Sequence, residues 1–239
     1  MAHISRKELK KDEIRETLQH GAEAVISHQR VVGTILGVAL VAGLAIVGWR
    51  FYSERQTAKA SAALEDAMKV FQARIRAAGE PAETGEVTYV AEKNKYADAA
   101  KKFSEVAHNY PRTRPGQVAR YYAAVCQEHL DRYDDALKTL KELESSGNEE
   151  FVSLARFQEA QIYDRTGKAD QGVKLYRQLA DKPTVFVPKA LVLLALADDL
   201  SKSNPQEAAK LYDQLKKDFP DSSIADEADK RLAMLGPKT

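Results

Sequence analysis

The stretch YADAAKKF at residues 96–103 returns as YDDALKTL at 133–140, ADQGVKLY at 169–176 and PQEAAKLY at 205–212. In each copy a small residue stands four places before a large apolar one: Ala99 before Phe103, Ala136 before Leu140, Gly172 before Tyr176, Ala208 before Tyr212. A further apolar residue follows three places on, at Val106, Leu143, Leu179 and Leu215. Steps of four and three put all three on one helix face. The small residues are 37, 36 and 36 positions apart. A fixed period of this length marks stacked helical units rather than a single globular core. The small residue lets the second helix of a hairpin approach the first closely, and the large one fills the gap to the next hairpin. Each unit then buries its face only against its neighbours. Two copies stop at an aromatic-proline pair, Tyr110-Pro111 and Phe219-Pro220, where proline cannot continue a helix.

Over roughly residues 92 to 235 this pattern resembles the tetratricopeptide repeat, whose usual period is 34 residues. Ala124 and Ala160 stand at that family's small eighth place, with Leu196 as a departure. Tyr133 and Gly167 match its turn, and Pro111 and Pro220 its terminal proline; its fourth-place tryptophan is missing. The resemblance implies an α-solenoid of helical hairpins and a binding face lined by the first helix of each. Register extrapolation puts Tyr121, Tyr122, Val125, Phe157, Gln158, Gln161 and Leu194 on that face. Aromatic and amide groups there suit an extended peptide or a partner helix; equally, the tyrosines pack between repeats. Relatives that clamp a chaperone's terminal carboxylate use lysines and asparagines where this chain has Tyr121 and Val125.

Working outward, residues 58 to 78 read as a helix, and GEPAETG at 79–85 is a turn-rich break. That helix either partners the first repeat across the loop or serves as a stalk. After Pro220, Ser222 and the series Ile224, Ala228, Leu232 and Leu235 suggest a capping helix that ends at Gly236-Pro237. Glycine and proline punctuate helices throughout, and no stretch alternates long enough to suggest a strand.

Upstream, VVGTILGVALVAGLAIVGW at 31–49 carries no charge over 19 residues. As a helix it reaches roughly 28 Å, close to the apolar thickness of a bilayer. Arg30 and Arg50 bracket it, and Trp49, Phe51 and Tyr52 sit where an interfacial aromatic belt would lie. A cleaved signal peptide would have a shorter apolar core behind a shorter leader. An uncleaved anchor is the better reading, and a mature N-terminus at Ser61 would overturn it. Three basic residues in the twenty before the span (Lys11, Arg15, Arg30) against four after it (Arg50, Arg55, Lys59, Lys69) set no orientation. Gly33 and Gly37 form a GxxxG that fits a membrane partner or a homodimer; equally, glycine is common in membrane helices.

Residues 1 to 30 carry six basic and five acidic residues, and Ser5 with Glu8 fits a capping box. An amphipathic helix or a solvated tail both fit this leader. The whole chain of 239 residues holds 36 Lys+Arg against 35 Asp+Glu, and its mean hydropathy is −0.45. That average conceals the anchor. The net charge of +1 argues against a protein built to bind nucleic acid. The single Cys126 makes no internal disulfide and reads as a buried inert thiol. The five histidines are scattered, and Asp134-Asp135 and Asp198-Asp199 read as solvated helix faces. No phosphate loop, nucleophile elbow or metalloprotease motif is present. The expectation is a non-enzyme with no cofactor and no metal.

A short charged leader, a glycine-rich span leaving through Gly48-Trp49-Arg50-Phe51-Tyr52, the Ile35-Leu36-Gly37-Val38 stretch and a helical repeat domain resemble the bacterial ancillary SecYEG translocon subunit family. The resemblance implies a single-pass inner-membrane protein with a cytoplasmic N-terminus and a periplasmic repeat domain. Its implied partners are translocon subunits, periplasmic chaperones or emerging secretory chains. An envelope-assembly or cell-division scaffold is the alternative reading, and an envelope enzyme with an unrecognised metal site a third. The expected organisation is a leader at 1–30, a membrane helix at 31–52, a stalk helix and loop at 53–91, and an all-α repeat domain with its cap at 92–239.

Overall fold

A computed structural model describes residues 29–77, 79–80 and 85–235, so the leader and residues 236–239 lie outside the described residues. The chain divides into two compact units between Arg55 and Gln56. Helix α1 spans Gln29–Phe71, and its two parts are described with their own units.

Up to Arg55, α1 is a helix with an apolar surface. Its described large apolar side chains between Val31 and Tyr52, Ile35, Leu40, Leu44 and Trp49 among them, are between 55% and 67% exposed, an exposure that water penalises over so wide a patch. Thr34, a polar side chain within the run, donates its hydroxyl to the Arg30 carbonyl at 2.7 Å, which satisfies that donor inside the apolar stretch. At the far end the Trp49 and Tyr52 rings lie 6.4 Å apart, and the Arg55 guanidinium sits 4.3 Å over the Phe51 ring. Among the described residues this is the one helix long and apolar enough to cross a membrane.

The second unit is all-α apart from one short strand pair. Helices follow at α2 (Glu92–Asn109), α3 (Arg114–His129), α4 (Tyr133–Glu144), α5 (Glu149–Arg165), α6 (Ala169–Asp181), α7 (Lys189–Ser203), α8 (Pro205–Asp218) and α9 (Ser223–Met234). Nearly all packing joins consecutive helices, as expected where each hairpin buries its face against the next. The quoted repeats are the second helices α2, α4, α6 and α8. Their small residues Ala99, Ala136, Gly172 and Ala208 are all buried, and so are Phe103, Leu140, Tyr176 and Tyr212. Gly172 marks a close helix approach, because a Cβ there would stand 2.9 Å from the Ala160 carbonyl oxygen of α5.

Capping defines the helix starts. Thr113 accepts from Gly116 N–H at 3.1 Å, Asn148 from Glu150 N–H at 3.1 Å, Asn204 from Glu207 N–H at 3.2 Å, and Ser222 from Ala225 N–H at 3.2 Å. Each satisfies a donor the helix itself cannot. The turns inside successive hairpins repeat as well. Asp131 (φ 58°) and Gly167 (φ 74°) both take the left-handed conformation, 36 residues apart.

The leading helix of the first hairpin is the end of α1. Ala67 and Val70 are buried with Tyr96, Ala99 and Phe103 of α2 and Ala119 and Cys126 of α3; Ala63, Leu64, Met68 and Phe71 pack alongside. Between α1 and α2 the chain forms a two-residue parallel pair, β1 (Arg74–Ile75) and β2 (Thr88–Tyr89). Arg74 pins it by ion pairs to Glu80 at 2.7 Å and Glu86 at 3.5 Å, and Tyr89 donates to Asp98 Oδ2 at 2.9 Å. A strand of two residues carries no readable alternation, which is why the sequence shows none. At the other end α9 packs on α8 and α7, burying Ala228 in the last cluster with Ile224, Leu232 and Leu235 against it.

Candidate partner-binding face

The seven residues expected on the first helices fall into two groups. Phe157 and Gln158 are each only 8% exposed, whereas Tyr121, Tyr122, Val125, Gln161 and Leu194 are half-buried. Tyr122 belongs to an aromatic nest, its ring centroid 5.3 Å from Phe71, 5.4 Å from Phe103 and 5.5 Å from Tyr121. Phe157 packs edge to face on Tyr176 at 5.6 Å, and Leu194 lies against the same cluster.

Tyr121 and Gln158 meet through a polar chain between α3 and α5. The Tyr121 hydroxyl donates to Gln158 Oε1 at 3.0 Å. The Gln158 amide donates to Glu128, and Arg165 closes the chain at 3.2 Å from Glu128 Oε1. Glu128 is only 5% exposed, and a buried carboxylate is tolerated when paired and bonded in this way. Burial, helped by the nearby Glu128 charge, pushes the Tyr121 hydroxyl up to about 12. It therefore stays a neutral donor. Gly33 and Gly37 are exposed on α1, and a Cβ on either would meet nothing within 4 Å.

Three features of this unit carry no readable sequence signal. The first is the link from α6 to α7. Phe186 packs against clusters on both sides of α5, its ring centroid 5.5 Å from Phe151. Pro183 and Pro188 bracket this segment.

The other two are buried acids. Glu159 is 4% exposed with its Oε1 unpartnered, because the neighbouring Glu144 offers only acceptor oxygens unless one carboxyl holds a proton. Burial first, then the Glu144 charge, push Glu159 up to about 7, against the pull of Lys141 and Arg156. Arg156 itself bonds Glu144 at 2.6 Å. Asp199 repeats the arrangement between α5 and α7. Both its carboxylate oxygens are buried without a donor, and burial followed by Asp164 and Asp170 pushes it up to about 7. Its neighbour Asp198 accepts from the Tyr212 hydroxyl at 2.6 Å and faces Arg231 at 3.7 Å. Asp198-Asp199, read as solvated in the sequence, is thus engaged in packing, since α7 is apolar around most of its circumference, whereas Asp134-Asp135 is exposed.

Cys126 is buried and free, its thiol pushed up to about 12 by burial, far from the thiolate form that reacts. Among the described residues no group of three His, Cys, Asp or Glu is placed to hold a metal ion. A cavity of about 510 Å³ lies between α5 and the end of α6, with Val152, Ser153, Arg156, Leu179 and Thr184 in its wall.

Stacked hairpins, buried small residues and a face of first helices define a helical-repeat interaction domain. Residues 28–191 match the tetratricopeptide repeat-like domain family and 189–222 the tetratricopeptide repeat family. The first match covers more than half of the chain, which belongs to that family. Among curated proteins none matches the chain. Tetratricopeptide domains mediate protein–protein interactions and are typically not catalytic.

Proposed function

We propose that this protein is a scaffold anchored in the bacterial inner membrane by α1, its leader cytoplasmic and its repeat unit periplasmic. There it binds proteins during translocation or hands them to periplasmic chaperones. The observation that carries the reading is the exposed apolar surface of α1 between Val31 and Tyr52 in the same chain as an interaction domain. Removing such a surface from water is favourable by about 25 cal/mol per Å², and a helix with every backbone group bonded internally is what a bilayer accepts. The translocon assignment rests on the likeness of Ile35–Val38 and Gly48–Tyr52 to the ancillary SecYEG subunit family. On this reading residues 1–30 are a cytoplasmic leader, 31–52 the span, 53–91 the leading helix of the first hairpin with its loop, and 92–239 the rest of the interaction domain. Gly33 and Gly37 offer one face where a second membrane helix approaches closely.

Photo-cross-linking from Val125 or Gln161 in intact cells tests this directly. Capture of translocon subunits, periplasmic chaperones or secretory chains is the expected result. Capture of cytoplasmic proteins alone would refute it, and capture of division or cell-wall assembly proteins would favour an envelope scaffold of another kind.

A further inference from the structure

Most packing in the repeat unit joins consecutive helices, and one link between hairpins reaches past its neighbours. The link Lys182–Pro188 between α6 and α7 turns back across α5 and reaches the start of α3. Phe186 lies edge to face on Phe151, and the Arg114 guanidinium of α3 sits 5.5 Å above its ring. Val118 and Tyr121 of α3 line the same cluster. Two polar contacts hold the segment down on α5. Phe186 N–H donates to Glu150 Oε2 at 3.0 Å, and the Ser153 and Thr184 hydroxyls are 2.6 Å apart. Within the segment, Val187 N–H donates to Thr184 Oγ1 at 3.2 Å. Thr184 N–H also bonds the Val187 carbonyl at 3.1 Å, and the turn leaves Val185 81% exposed.

A short run with an aromatic residue between two valines therefore lies on the first helices, where a bound peptide would lie in a repeat scaffold. Its anchors, an aromatic ring under a guanidinium and a backbone N–H on a carboxylate, are those that would hold a segment from another chain.

We propose that the seam between the N-terminal halves of α3 and α5 is a binding slot for an extended segment carrying an aromatic residue flanked by β-branched ones, with Lys182–Pro188 as its resident, exchangeable occupant. This rests on reading the repeat unit as a protein-binding scaffold. A tethered occupant competes at high effective concentration, and an incoming segment sees only the fraction of molecules whose slot is open.

The test uses the full chain in detergent micelles and a labelled peptide of residues 184–189, TVFVPK, with TVAVPK as control. Fluorescence anisotropy should show the Phe186→Ala variant binding TVFVPK at least about tenfold more tightly than wild type, because the competitor is gone. Thr184→Val, which removes the resident's hydroxyl contact with Ser153 and keeps both the slot and the ring, should bind about threefold more tightly. The control peptide should bind none of them. Failure of TVFVPK to bind any variant, or equal affinity for wild type and both variants, overturns the proposal. If Phe186→Ala does not fold, Thr184→Val decides by the same criterion. Cross-links to secretory partners without any peptide exchange would remove the resident-occupant idea and leave the scaffold reading standing.

Discussion

The buried Glu159 gives the sharpest test of the packing between hairpins. In the unfolded chain its carboxyl titrates near its ordinary value of 4.5, and in the folded chain burial and Glu144 push it up to about 7. The native state therefore binds the proton more tightly than the unfolded state. Its contribution is fully present below about pH 4.5, declines as pH rises, and is flat above about 7. A difference of 2.5 units at 1.36 kcal/mol each sets a ceiling of about 3.4 kcal/mol. Integrated between pH 5 and pH 8, the same two values give a fall of about 2.5 kcal/mol. Glu159→Gln removes the ionisation and supplies an N–H donor toward Glu144. Urea unfolding of the full chain in micelles, followed by circular dichroism, should then show the variant near wild type at pH 5 and more stable by about 2.5 kcal/mol at pH 8. A stability difference that does not change with pH, or a variant less stable than wild type at pH 8, would refute the buried shared-proton pair.

Other substitutions probe other parts of the molecule. Gly172→Ala places a Cβ 2.9 Å from the Ala160 carbonyl and should cost about 1–3 kcal/mol in urea unfolding by overpacking. Gly167→Ala, in open space but at φ 74°, should cost only the left-handed backbone penalty of about 1 kcal/mol. Tyr121→Phe deletes the donor to Gln158 and should cost about 1 kcal/mol while leaving the aromatic nest around Tyr122 intact by near-ultraviolet dichroism. Leu40→Asp, in the middle of the exposed apolar surface, should cost about 3 kcal/mol of insertion and shift the protein toward the soluble fraction after alkaline washing of membranes.

The solenoid was legible because its signal is periodic. Ala99, Ala136, Gly172 and Ala208 recur at one register, and all four meet the same requirement for close helix approach. The face of first helices was legible only in part. Register alone puts Phe157 and Gln158 beside Gln161, but α6 covers Phe157 through Tyr176, and Gln158 turns inward to Glu128. Periodicity cannot tell a helix's open side from the side its neighbour covers. Phe186 belongs to no repeat and contacts Arg114, distant in sequence, so nothing local marks it. Asp199 was misread for a related reason. The doublet Asp198-Asp199 looks polar, yet Leu193, Leu196, Ala197 and Leu200 around it are all buried, and only the fold shows that Asp164 and Asp170 close over it.

The anchor and its orientation are the centre of the functional account, and a reporter fused after Thr239 that is active only outside the cytoplasm tests both. With the anchor intact, the account predicts an active reporter, a protein retained in the membrane after alkaline washing, and an uncleaved N-terminus. An inactive reporter, or a soluble protein whose N-terminus begins at Ser61, would contradict it.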